Sequence, residues 1–304
     1  MLKIFTSKNK IWLLFSLTIA VLFTVTTLFA GCTPEETTQE TTEAAGGEFE
    51  GQELVLSGST TLLQVSEAWA AAFMENYGGS IIVNGGGSGG GIADMINGIN
   101  DLANASRQIK DEEIQAAKDA GYDVVEYTVL FDGISVIVSD NVEIEDLTIE
   151  QLSKIYTAEI TNWSEVGGPD AEIVIAARDS SSGTGEYFLE AVVQMDKTLE
   201  DNDYAATALR LQSNADVVNQ VKDNDNTIGY IGLGYLDDTL NSVKVEGIAP
   251  SVETVKDGSY PISRGLYVYA PGSDLTEIAQ SYLDFVFSEQ GQQIGLEEGF
   301  VPVQ

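Results

Sequence analysis

The sequence predicts an α/β fold, helices layered on largely parallel sheets, and two observations carry that prediction. Strand-like apolar runs alternate with helix-period patterns over nearly all of residues 54–303. Three of the strand-to-helix junctions are turns rich in glycine, serine and threonine, the place where open α/β sheets bind ligands.

The first junction is Gly58-Ser59-Thr60-Thr61, after the strand-like Leu54-Val55-Leu56; Leu62, Val65, Ala68, Trp69 and Ala72 then recur at helical spacing. The second runs from Asn84 to Gly91 with Ser88 inside it, between the Ser80–Val83 strand and a helix with apolar Ile92, Met95, Ile96 and Ile99. Val124–Tyr127 and Ile134–Val138 read as two further strands, and Asp111–Ala120 and Thr148–Tyr156 as helices. The third junction is Arg178 to Gly185, after Ile173–Ala177, leading to Phe188, Ala191, Val192 and Met195. Thr227–Ile231 and Leu266–Tyr269 complete the strands. Ala215–Lys222 and Thr276–Phe287 complete the helices, the last with Ile278, Ala279, Tyr282, Phe285 and Val286 on a core-facing side.

A turn of this kind aims backbone N–H groups and the positive end of a helix at one spot. Glycine lets the chain approach closely, and Ser and Thr add hydroxyl donors. The same residues also cap ordinary helices, so the weight falls on their combination with arginine. Lys and Arg number only 14 against 48 Asp and Glu, yet Arg178 opens a Ser-Gly-Thr turn and Arg107 follows Ser106. Two of the turns lie in the first third of the chain and one past the middle, which points to an oxyanion site shared between two lobes.

Composition excludes several classes. A formal net charge of −34 argues against nucleic acid and against electrostatic attachment to anionic lipid. With no histidine and one cysteine there is no conventional transition-metal cluster and no disulfide, and neither metal nor cofactor is expected. Gly86-Gly87-Ser88-Gly89-Gly90 fits the G-x-S-x-G nucleophile elbow, but a chain without histidine lacks the usual base. Gly85, Gly87 and Gly90 fit G-x-G-x-x-G after a strand, a weak dinucleotide pattern in an exported protein.

Export is read from the N-terminus. Lys3, Lys8 and Lys10 precede an apolar stretch from Ile11 to Ala30, then Gly31-Cys32. Leu28-Phe29-Ala30-Gly31-Cys32 resembles the bacterial lipobox, with Phe29 where that motif usually has leucine. The apolar run is also long enough to span a bilayer; the position of the only cysteine at its end favours a cleaved signal (1–31) with lipid on Cys32. Thr33–Glu50, rich in Thr and Glu, reads as a flexible tether, residues 32–50 in all.

The assembled motifs resemble the phosphate-binding proteins of bacterial ABC transporters, the PstS family. They are Gly58–Thr61, Gly85–Gly91 with Ser88, Asn104-Ala105-Ser106-Arg107, Phe131-Asp132-Gly133-Ile134, Ile160-Thr161-Asn162-Trp163, Arg178–Thr184, Ile228–Gly232 and Tyr260-Pro261-Ile262-Ser263-Arg264, in the family's order. The resemblance implies a two-lobed type II periplasmic-binding-protein fold with a hinge. Residues 51–133 plus 262–304 would form one lobe and 134–261 the other. It implies an extracytoplasmic lipoprotein of the bacterial cell membrane, not an enzyme, that holds inorganic phosphate in the cleft and delivers it to membrane permease subunits. The alternative is a binder or sensor of another tetrahedral oxyanion.

Carried over by motif, the phosphate contacts fall on Thr60, Thr61, Ser88, Arg107, Arg178, Ser182, Gly183 and Thr184. Well-known members have an aspartate after the Ala-Ser pair, accepting the phosphate proton, where this chain has Arg107. Asp132, at the start of the interlobe crossing, is the candidate replacement acceptor or else a hinge residue that orients an arginine.

Overall fold

The computed structural model describes residues 47–272 and 274–303; the signal segment and Cys32 lie outside the described residues. Strand β1 (Glu53–Gly58), helix α1 (Leu63–Tyr77), β2 (Ser80–Gly85), α2 (Ser88–Ile96), β3 (Leu102–Ala105) and α3 (Asp111–Asp119) come first. Then follow β4 (Val125–Val138), β5 (Asp146–Leu147), α4 (Ile149–Tyr156), β6 (Val174–Arg178), α5 (Gly183–Phe188), β7 (Leu209–Leu211) and α6 (Asn214–Asp223). The chain ends with β8 (Thr227–Gly232), β9 (Asn241–Val245), α7 (Val252–Lys256), β10 (Ser263–Ala270), α8 (Glu277–Phe287), α9 (Glu289–Glu297) and β11 (Val301–Pro302).

The main path of strand pairing is β2-β1-β3-β10-β4-β8-β6-β7. The sheet is mixed rather than largely parallel: β1 pairs β2 and β3, and β6 pairs β7 and β8, in parallel, whereas β10 and β4 run antiparallel to their neighbours. The reason is β4. The two expected strands at 124–127 and 134–138 are one strand of 14 residues, broken in the sequence pattern only by Asp132 and Gly133. Its first part pairs β10 and β11, its last part β8 and β9.

Two large apolar clusters flank this strand. One gathers Leu54, Trp69, Phe73, Leu130, Leu266 and Tyr282; the other gathers Ile134, Trp163, Phe188, Tyr230 and Ile262. Each buried large side chain stabilises its cluster by about 1.5–3 kcal/mol relative to exposure. The expected tether is shorter than read, because Phe49 is buried in the first cluster with its ring stacked 5.7 Å from Phe73. One aromatic residue in a polar run is too sparse for any periodic pattern to reveal.

Helix starts match the sequence signals, with two differences. Helix α2 begins inside the glycine run, at Ser88. After the third turn, α5 passes into one turn of wider π geometry, Leu189–Val193, and Met195 leaves the helix at φ 48°. Among the described residues no helix is long and apolar enough to cross a membrane.

Candidate functional site

The carboxyl ends of β1, β2, β3 and β6 carry the loops that meet at the centre of the molecule. Within the glycine run, two positions are required by contact. A Cβ on Gly91 would lie 2.3 Å from the Ser57 carbonyl oxygen, which lets α2 pack on β1; one on Gly87, at φ 86°, would lie 2.5 Å from the Ser181 carbonyl oxygen. Gly89 N–H donates to that same carbonyl at 3.1 Å, so the second and third turns touch directly. Gly183 is equally confined, with Ser88 Oγ 2.3 Å and Ser106 Oγ 2.9 Å from any added Cβ.

The hydroxyls converge. Thr61 Oγ1 lies 2.7 Å from Thr184 Oγ1, Thr184 Oγ1 lies 3.3 Å from Ser106 Oγ, and Ser106 Oγ lies 3.3 Å from Ser88 Oγ. Ser182 caps α5, its Oγ accepting from Gly185 N–H at 3.1 Å. The N–H groups of Gly183 and Thr184, in the first turn of α5, have no intrahelical acceptor and add to the donor set. Thr60 Oγ1 accepts from Arg178 Nη2 at 2.9 Å, and its carbonyl accepts from Tyr235 Oη at 2.7 Å.

Three arginines are buried nearby, and their charges are balanced very differently. Arg264 forms a fork on Asp132, with Nη2 and Nε 2.8 and 3.1 Å from Oδ2, and also donates to Thr184 Oγ1 at 2.9 Å and the Ser106 carbonyl at 2.8 Å. Arg107 lies against two carboxylates, Glu113 at 2.7 Å and Glu186 at 2.6 Å. Arg178, only 1% exposed, has no carboxylate within ion-pair distance among the described residues. It donates to Thr60 Oγ1 and to the Leu211 and Gln212 carbonyls, while its Nη1 has no hydrogen-bond partner. Burial pushes its guanidinium below its ordinary value, opposed by the Tyr230 and Asp179 side chains. The site therefore holds one uncompensated positive charge among hydroxyl and N–H donors, an arrangement complementary to an anion.

The chain matches the PBP superfamily domain over residues 33–290. It is 31% identical to the phosphate-binding protein PstS of Borreliella burgdorferi over 256 residues, 82% of this chain and 89% of that protein. The chain belongs to the PstS family. The PstS of Staphylococcus saprophyticus is 33% identical over 85% of this chain and 82% of its own length. Among solved structures, a phosphate ABC transporter substrate-binding protein with bound phosphate from Clostridium perfringens superposes with a TM-score of 0.75 at 36% identity. That match covers 83% of this chain and all of the other.

Within this PstS-family chain, the structure brings together Thr60, Thr61, Ser88, Arg178, Ser182, Gly183 and Thr184, and gives Arg107 and Asp132 charged partners of their own. Arg107 is turned toward acids. Its Nη1 donates to Glu113 Oε2 at 2.8 Å and the Gln108 carbonyl at 2.9 Å, its Nη2 to Glu113 Oε1, and its Nε faces Glu186 without a well-aligned hydrogen bond. Burial alone would lower its pKa, but the Glu113 hydrogen bond and the charges of Glu186 and Glu113 raise it. Only one Nη2 hydrogen remains for the Gly89 side.

Of the two roles open to Asp132, the geometry fits the one that orients an arginine. Its Oδ2 accepts both Arg264 bonds and its Oδ1 accepts Leu233 N–H at 2.9 Å, so it orients an arginine instead of facing an anion as proton acceptor. Burial pushes its carboxyl up from the ordinary value, against Arg264 and the Leu233 and Gly133 N–H groups. Sequence reading also left out Arg264, Ser106 and Asn214 as site residues. The first two lie in motifs already quoted. Asn214, whose Nδ2 reaches Thr61 Oγ1 at 3.2 Å and whose Oδ1 accepts Gly232 N–H at 3.1 Å, has no sequence signal beyond following a helix-capping serine.

Proposed function

We propose that this chain captures one inorganic phosphate between two lobes, residues 51–133 with 262–304 and residues 134–261, and hands it to the permease of a phosphate ABC transporter. Membership of the PstS family supports phosphate binding for transport. The observation that carries the reading is Arg178, a buried guanidinium with an unpartnered Nη1 and no carboxylate partner among the described residues, ringed by Thr60, Ser182 and the first turn of α5. Phosphate offers the oxygens these donors need, and Arg264, neutralised by Asp132, adds hydrogen bonds without excess charge. The role is binding, not turnover: Ser88 Oγ accepts from Ser106 N–H at 3.0 Å and neighbours another hydroxyl, and the chain has no histidine to act as base. Cys32 with its lipid is the proposed anchor outside the cytoplasmic membrane.

Calorimetry with phosphate, together with small-angle scattering, tests the reading. One site per chain with compaction on binding is expected; no heat and no compaction refutes it. A second oxyanion is kept in view by one observation, the engagement of Asp132 by Arg264, which occupies a buried carboxylate that could otherwise prefer a protonated anion over sulfate. Sulfate titrated in the same cell decides between them.

A further inference from the structure

Glu186 plays no part in the donor set around Arg178, yet it joins two segments far apart in sequence. It lies in α5, and its Oε2 is 2.6 Å from Arg107 Nε while its Oε1 is 2.6 Å from Lys110 Nζ. Both cations belong to the segment between β3 and α3. That segment is held rigid from behind by Glu113, which takes two bonds from Arg107 and the Lys110 N–H at 2.9 Å. Two cations face two carboxylates, so the cluster is neutral and contributes attachment rather than attraction for an anion. Its position is as telling as its charge. Cavities of about 450 and 440 Å³ open beside it, and Lys110 and Glu186 line both, so their ion pair stands as a crossbar between the two openings.

We propose that Glu186 is a latch: a positioning residue that ties the 107–110 segment of one lobe to α5 of the other once the anion is enclosed, and so sets how fast the anion leaves. This rests on the phosphate reading above. The inner half of the latch is shielded, the Arg107 side chain being 7% exposed; the outer half, with Lys110 at 38%, is open to salt. Loss of Glu186 leaves Arg107 still paired with Glu113, so no buried charge is stranded. The direction of the effect separates a latch from plain electrostatics. Removing a negative charge near a bound anion on its own slows release; removing a latch speeds it.

Stopped-flow kinetics with inorganic phosphate on the parent, Glu186→Gln, Lys110→Gln and the double variant test this. Glu186→Gln is expected to release phosphate about tenfold faster, with association changed less. The double variant is expected to match Glu186→Gln rather than compound the two effects, because both changes break the same bond. Release from the parent accelerates with added salt more steeply than release from Glu186→Gln. A parent that binds phosphate while Glu186→Gln releases it at the parental rate or slower overturns the latch and leaves the phosphate reading standing. A parent that binds none overturns both.

Discussion

Replacing Arg178 by methionine separates the work this side chain does for the ligand from the work it does for the fold. The substitution keeps an unbranched apolar stem, though a shorter one, and removes a charge that is 1% exposed and has no carboxylate partner among the described residues. Stripping one member from a buried charge pair costs about 2–5 kcal/mol, and about 1.4 kcal/mol is a factor of ten, so phosphate affinity is expected to fall by roughly 30- to 4000-fold. The phosphate-free protein should respond quite differently. It loses the bonds to Thr60 Oγ1 and to the Leu211 and Gln212 carbonyls, each worth about 1 kcal/mol net. It also sheds the desolvation penalty of an unpaired guanidinium, several kcal/mol in the opposite direction. The two nearly cancel, and stability without phosphate is expected to change by less than about 2 kcal/mol. Urea unfolding with and without phosphate, run beside calorimetry, reads both quantities. As a comparison, Thr61→Val should lose only about 0.5–1.5 kcal/mol of binding, since it removes one donor among many. Affinity at the parental level in Arg178→Met, or a loss of free-protein stability as large as the loss of binding, would refute the assignment.

Two further substitutions probe the surroundings. Asp132→Asn is expected to destabilise the protein by about 3–5 kcal/mol, because it strands Arg264, while leaving the phosphate-to-sulfate ratio unchanged; competition calorimetry that shows the ratio moving would restore Asp132 as an acceptor. Gly183→Ala places a methyl 2.3 Å from Ser88 Oγ and is expected to weaken binding by about 1–3 kcal/mol through overpacking. Its melting temperature should fall as well, because the added methyl crowds Ser88 and Ser106 in the fold itself, and scattering should show reduced compaction with phosphate.

The alternation of strands and helices was legible because apolar period and turn chemistry agree at each junction, and the same agreement exposed Thr60, Thr61, Ser88, Arg178 and Ser182–Thr184. What could not be read was the partner of each charge. Asp132 and Arg264 are 132 residues apart and meet because β4 and β10 pair in a register that sets them directly opposite. Arg107 is drawn off by Glu113, six positions on, and by Glu186, from a different sheet neighbourhood. Motif identity gives the residue type at a position; only the register and the approach of α5 give the direction in which its guanidinium points. Phe49 and β7 escaped for a plainer reason, being too short or too isolated to form a pattern.

The continuous strand β4 has a mechanical consequence. Val129 and Leu130 belong to one apolar cluster, and Ile134, Val136 and Val138, a few residues along the same extended backbone, to the other. A flexible linker would let each cluster melt by itself. Here, loss of packing in either one frays a strand on which the other depends, through hydrogen-bonded ladders to β10 on one side and β8 on the other. The two clusters are therefore expected to share one cooperative unfolding transition, even if the strand flexes where Asp132 and Gly133 separate them.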